Sequence, residues 1–127
     1  MIRLHHVQVS CPRGGEDLAR RFWVEGLGLT EVAKPEPLAG RGGAWFRSDG
    51  GGDAGGVEVH VGVEDPFVPA RRAHPAFVLG GEQALAEAEA RLEALGFEVD
   101  RTERDTFPGH ARAHVRDGHG NRVELLA

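Results

Sequence analysis

The chain can be laid on itself. "VEGLGL" at residues 24–29 matches "LEALGF" at residues 92–97. Working outward from that match, His6 precedes Gly28 by the same offset that separates His74 from Gly96. Glu58 follows Gly28 at nearly the offset at which Glu124 follows Gly96. The local contexts agree, with "GVEV" around Glu58 and "RVEL" around Glu124. A duplicated unit constrains the fold more than any single segment, because each half must supply the same elements in the same order.

Those elements follow from hydrophobic period and turn chemistry. "IRLHHVQVSC" reads as a strand, and "GEDLARRFWVEGLG" as a helix burying Leu18, Phe22 and Trp23. "GLTEVAK", "GAWFRS" and "GVEVHVGVE" read as three strands. "DGGGDAGG" between the last two is too glycine-rich for regular structure and is expected to be a mobile hairpin loop. Neither it nor "GRGG" at residues 40–43 has the Lys-Ser/Thr or helix start that a phosphate-binding loop needs. "DPFVPARRA" is a connector. The second half repeats the order: strand "HPAFVLGG", helix "GEQALAEAEARLEALG", then strands "FEVDRTE", "ARAHVRD" and "NRVELLA". Leu85, Ala88, Leu92 and Leu95 form that helix's apolar stripe, and Gly96 stops it. The expectation is an α+β domain of residues 1–127, with strand–helix–three-strand modules at about 1–63 and 73–127 joined by linker 64–72.

Composition narrows the partners. The formal net charge is −5, with no basic stripe, which disfavours nucleic acid and gives no affinity for a membrane surface. The apolar runs fall short of a transmembrane length. A single cysteine, Cys11, excludes an internal disulfide, so a cytoplasmic location is the expectation.

Each half thus has a histidine on its first strand and a glutamate on its last. A strand alternates faces, so Glu124 points away from Val123 and Leu125, and a buried carboxylate there needs a partner. Two imidazoles and two carboxylates suit a divalent transition metal: Ni²⁺, Zn²⁺, Co²⁺, Fe²⁺ or Mn²⁺. They meet at one ion only if the two modules face each other about a pseudo-two-fold axis. Each residue also has a plainer reading. His6 would be a hydrogen-bonded sheet histidine, His74 a surface residue beside Pro75, Glu58 an exposed edge residue, and Glu124 a partner of Arg122 or Arg112. His60 shares strand parity with Glu58, as a ligand, a partner of a ligand, a proton carrier or a rim histidine. Arg112 and His114 share a face of the penultimate strand, where they would meet substrate. His5 has the opposite parity to His6, and His110 and His119 read as solvated.

These residues carry a resemblance. "LHHVQVS", the helix ending "GLGL", "VEVHV", "AHPAFVL" and "RDGHGNRVELL" resemble the vicinal oxygen chelate superfamily, which includes glyoxalase I, bleomycin-resistance proteins and extradiol dioxygenases. The stretch from Asp117 to Glu124 resembles the family's Asp-Pro-Asp-Gly-x-x-x-Glu ending, with Gly118 in place of the proline. The resemblance implies paired βαβββ modules forming a curved mixed β-sheet around a cavity. It places metal ligation on His6, Glu58, His74 and Glu124, and a homodimer follows from it. The function expected is that of a glyoxalase-like metal-dependent lyase, isomerase or epimerase. Such an enzyme chelates vicinal oxygens of a small substrate and stabilises an enediolate, with Glu58 or Glu124 as base and His60 as relay. The alternatives are a protein that sequesters a small molecule such as an antibiotic, and a dioxygenase.

Overall fold

The computed structural model describes residues 1–49 and 56–127; the centre of the expected glycine-rich loop lies outside the described residues. The chain divides into two compact units, Met1–Val68 and Pro69–Ala127.

In the first unit, β1 (Val7–Cys11) is followed by α1 (Glu16–Arg20), which continues as a π-helical segment over Arg21–Gly26. Then come β2 (Thr30–Val32), a short α2 (Glu36–Ala39), β3 (Ala44–Arg47) and β4 (Glu58–Val63). The sheet order is β1-β4-β3-β2, with β1 parallel to β4 and the other pairs antiparallel. Alternation along the strands sends Val59, Val61, Ala44 and Phe46 to one face, and Glu58, His60, Trp45 and Arg47 to the other. The core includes Phe22, Trp23 and Phe46, all fully buried.

The second unit repeats the plan with β5 (Ala76–Val78), α3 (Glu82–Ala94), β6 (Val99–Asp100), β7 (Arg112–Arg116) and β8 (Arg122–Leu126). Its order, β5-β8-β7-β6, is the same topology, with β5 parallel to β8. Leu85, Ala88 and Leu92 of α3 are buried with Ala113, Val115, Val123 and Leu125 of the sheet. At the end of α3, Gly96 has φ 90°, Gly96 N–H donates to Glu93 O, and Phe97 N–H donates to Leu92 O. That pair of bonds is a Schellman closure, which needs a left-handed residue where glycine stands. In the first unit Gly28 has φ 78° and Leu29 N–H reaches back to Trp23 O, a wider closure that follows from the π-helical winding. The "VEGLGL"/"LEALGF" match therefore places a left-handed glycine after both helices, with a different closure in each.

The strands are shorter than their sequence patterns. His6 lies immediately before β1, and His74 is separated from β5 only by Pro75. Pro75 has no N–H to give the ladder, but its carbonyl accepts from Glu124 N–H at 3.0 Å, so the backbone stays paired up to it. "FEVDRTE" yields only the short β6; beyond it Asp100 turns the chain by accepting from the N–H and hydroxyl of Thr102. Glu89 of α3 is buried and paired with Arg101 and Arg104.

The turn between β7 and β8 is organised by Asp117, which is 3% exposed. Its Oδ1 accepts from the backbone N–H of His119 (3.0 Å) and Asn121 (2.9 Å), and its Oδ2 from the Asn121 amide at 2.8 Å. Asp117→Ala strands both backbone donors, and urea denaturation is expected to show a loss of about 2–4 kcal/mol. Burial pushes the Asp117 carboxyl above its usual value, against the three donors that favour its charge. The folded chain then holds this proton more tightly than the unfolded chain. Its contribution is full below the ordinary aspartate range and is lost as pH rises through the folded value. Asp117→Asn is expected to flatten the stability–pH profile over that window.

Candidate metal centre

In the first unit, β4 presents Glu58 and His60 on one face, with Val59 between them turned to the other. Both are buried. Cross-strand register sets Arg47 opposite Glu58 and Trp45 opposite His60. Glu58 Oε2 accepts from Arg47 Nε at 3.0 Å and lies 2.9 Å from Arg47 Nη2; Glu58 Oε1 accepts from His60 Nε2 at 2.8 Å. The His60 ring is stacked between Trp45, at 3.7 Å between centroids, and His6, at 4.1 Å. Burial opposes the Glu58 charge, but the His60 and Arg47 hydrogen bonds outweigh it and hold the carboxyl below its ordinary value. Burial, then the nearby His6, pushes the His60 imidazole down, against the pull of Glu58. His6 thus lies against His60, and its Nδ1 is 3.0 Å from that of His5.

In the second unit, β8 presents Glu124 between Ala76 of β5 and His114 of β7, its cross-strand partners. Glu124 Oε1 accepts from Arg112 Nη1 at 2.8 Å, and Glu124 Oε2 lies 3.1 Å from His74 Nε2. Burial again opposes the charge, and the Arg112 and His74 bonds overcome it, so this carboxyl too is held below its usual value. Arg112 also donates from Nε to Glu103 O and from Nη2 to Thr106 Oγ1, and lies over the Phe107 ring. Of the two plainer partners for Glu124, Arg112 is the one realised. Burial, then Arg122, pushes the His114 imidazole down. Ligand atoms of His74, His114 and Glu124 all lie within 4.8 Å of one another. A neutral-imidazole and carboxylate set of this kind fits a divalent transition metal.

One contact needs a cation, either a proton or a metal ion. His74 Nδ1 is 2.6 Å from Arg72 O, and a carbonyl only accepts, so Nδ1 carries a proton. In the neutral ring Nε2 is then a lone pair, facing a carboxylate oxygen across 3.1 Å. Two acceptors at that distance repel unless a second imidazole proton or a metal ion lies on that side. An imidazole whose Nδ1–H is held by a backbone carbonyl, which leaves Nε2 for an ion, is the arrangement metal-ligating histidines use.

The first unit thus brings together Glu58, His60 and His6, and the second His74, His114, Glu124 and Arg112. Sequence reasoning missed Arg47 and Trp45. They are distant in sequence from the side chains they touch, and only the β3–β4 register reveals them. His110, read as solvated, donates to Ala127 O at 2.8 Å. Among the described residues no helix is long and apolar enough to cross a membrane.

Comparison with known proteins bears on this geometry. The chain is similar to a protein assigned to the glyoxalase family from Bacillus anthracis, with 40% identity and a TM-score of 0.84 over 99% of this chain and 94% of that one. Its fold is also that of a fosfomycin resistance protein from Listeria monocytogenes (16% identity, TM-score 0.74, 100% and 93% covered). Lactoylglutathione lyase from Agrobacterium tumefaciens shares it as well (20% identity, TM-score 0.68, 98% and 92% covered). No curated protein sequence matches the chain. The model of the glyoxalase/bleomycin resistance protein/dioxygenase superfamily matches residues 3–125, and the chain belongs to that superfamily.

Proposed function

We propose that the protein is a metal-dependent enzyme of the glyoxalase-like group, a lyase, isomerase or epimerase acting on a small substrate with two vicinal oxygens. The observation that carries this is the His74–Glu124 contact: Arg72 O holds Nδ1–H, and Nε2 lies 3.1 Å from a carboxylate that is itself held by Arg112. His6, Glu58, His74 and Glu124 are the proposed ligands, supported by their matched places in the repeat. A bound divalent cation supplies Lewis-acid polarisation of substrate oxygens and offsets the negative charge that develops as a C–H proton leaves.

The chain's own residues do the rest. Arg47 and Arg112 keep Glu58 and Glu124 ionised, so each carboxylate is available to a cation or a proton. Glu58 or Glu124 is the proposed base. His60 donates Nε2–H to Glu58, and its position between two rings fixes that geometry, which suits a relay. Arg112, beside Glu124, is the proposed contact for an anionic substrate group. A homodimer belongs to the same proposal, through the superfamily. Metal analysis of chain purified without chelator, followed by uptake of Ni²⁺, Co²⁺, Zn²⁺ or Mn²⁺, tests the reading. Retained or regained divalent metal is expected; chain that is metal-free and ignores all four cations contradicts it.

A further inference from the structure

The two halves differ at one position of the repeat. The residue opposite Glu58 on the neighbouring strand is Arg47, whereas the residue opposite Glu124 is His114. Each carboxylate is held by an arginine, Arg47 or Arg112, but only in the second half does an imidazole stand opposite it across the strand pair. His114 is 7% exposed, and its ring lies 5.6 Å from that of His74, edge to face. Its donor atom belongs to the trio that lies within 4.8 Å. Two ligands about 2.1 Å from one tetrahedral ion stand about 3.4 Å apart, so small rotations of these side chains suffice. Glu124 is already oriented by Arg112 at Oε1 and His74 by Arg72 O, leaving Oε2 and Nε2, 3.1 Å apart, as the atoms that would face the ion.

We propose that His114 is a metal ligand, so that Pro69–Ala127 alone supplies two imidazoles and one carboxylate to the cation. This rests on the reading that His74 and Glu124 bind a metal. It moves His114 from the substrate side of the site to the ion, and it leaves Arg112 as the residue of β7 facing substrate.

The test uses the full chain and Co²⁺ alone. Co²⁺ shifts the imidazole N–H signals of its ligands far outside the ordinary proton NMR range, so coordinated histidines can be counted. In His6→Gln, two shifted imidazole N–H signals are expected, from His74 and His114. His114→Gln is expected to lose one shifted signal and to bind Co²⁺ about 100-fold or more weakly, beyond the effect of losing an outer hydrogen-bond partner. Circular dichroism reports whether His114→Gln is folded, and the His6→Gln count does not depend on that variant. One shifted signal in His6→Gln, with wild-type Co²⁺ affinity in folded His114→Gln, overturns the assignment of His114 alone. If His74→Gln and Glu124→Gln also bind Co²⁺ like wild type, the metal reading of this site fails, and the inference fails with it.

Discussion

Glu124→Gln is expected to lower the affinity for Co²⁺ or Ni²⁺ by about 100-fold or more while leaving the chain folded. The two effects separate because of what surrounds the carboxylate. Arg112 Nη1 donates to Oε1, and a glutamine oxygen still accepts that bond, with Glu103 nearby to share the guanidinium charge. On the other side Oε2 faces His74 Nε2 across 3.1 Å, while Nδ1–H is given to Arg72 O. A glutamine amide placed there donates to Nε2 when the ring carries only its Nδ1 proton. The variant therefore keeps both contacts of the site and loses only the negative charge a cation requires. Thermal melting without metal should stay within a few degrees of wild type, and the stabilisation that added metal gives wild type should vanish. Calorimetric titration reads the affinity directly. Wild-type affinity in Glu124→Gln removes Glu124 from the ligand set.

The largest structural effect is expected at a residue that touches no ligand. A Cβ on Gly43 would stand 2.1 Å from Val61 O, and Gly43 has φ 82°. The obstacle is backbone of the paired strand, next to Ala44↔Val61, so no side-chain rotation relieves it. Gly43→Ala must open the β3–β4 ladder or change its own conformation, and a loss of about 3–5 kcal/mol is expected in urea denaturation. Gly96→Ala is the control: φ is 90° there too, but nothing lies within 4 Å of the added carbon, and the expected loss is about 1–2 kcal/mol. Equal losses at the two positions would show that the close approach costs nothing. Because the same ladder sets Arg47 opposite Glu58, Gly43→Ala is also expected to weaken that ion pair.

Much of this was legible in the sequence, and the division follows the range of the interactions. The Gly96 closure, the stripe of α3 and the Asp117 turn depend on residues within a few positions of one another, and each follows from its local pattern. The repeat extended that reach by pointing to Glu58 and Glu124 as corresponding positions. The partners of those glutamates were harder to see. Arg47 and Trp45 lie across a strand pair whose connecting sequence is glycine-rich and carries no register signal. Gly43 read as the head of the strand "GAWFRS", but its close approach to Val61 O, which decides its identity, needs the β3–β4 pairing. The π-helical segment at Arg21–Gly26 shares its apolar residues with an ordinary helix, so period alone does not separate the two. For His114 the strand face was legible, but its place opposite Glu124 was not, since that needs the β7–β8 alignment.

Everything functional here depends on a cation held by the histidine–glutamate pairs. Anomalous diffraction at the cobalt edge from crystals grown with Co²⁺ locates that ion without reference to activity. The account predicts a cobalt peak about 2.0–2.2 Å from His74 Nε2 and Glu124 Oε2. A well-occupied cobalt bound only elsewhere on the chain, with His74 and Glu124 still in direct contact, would contradict it.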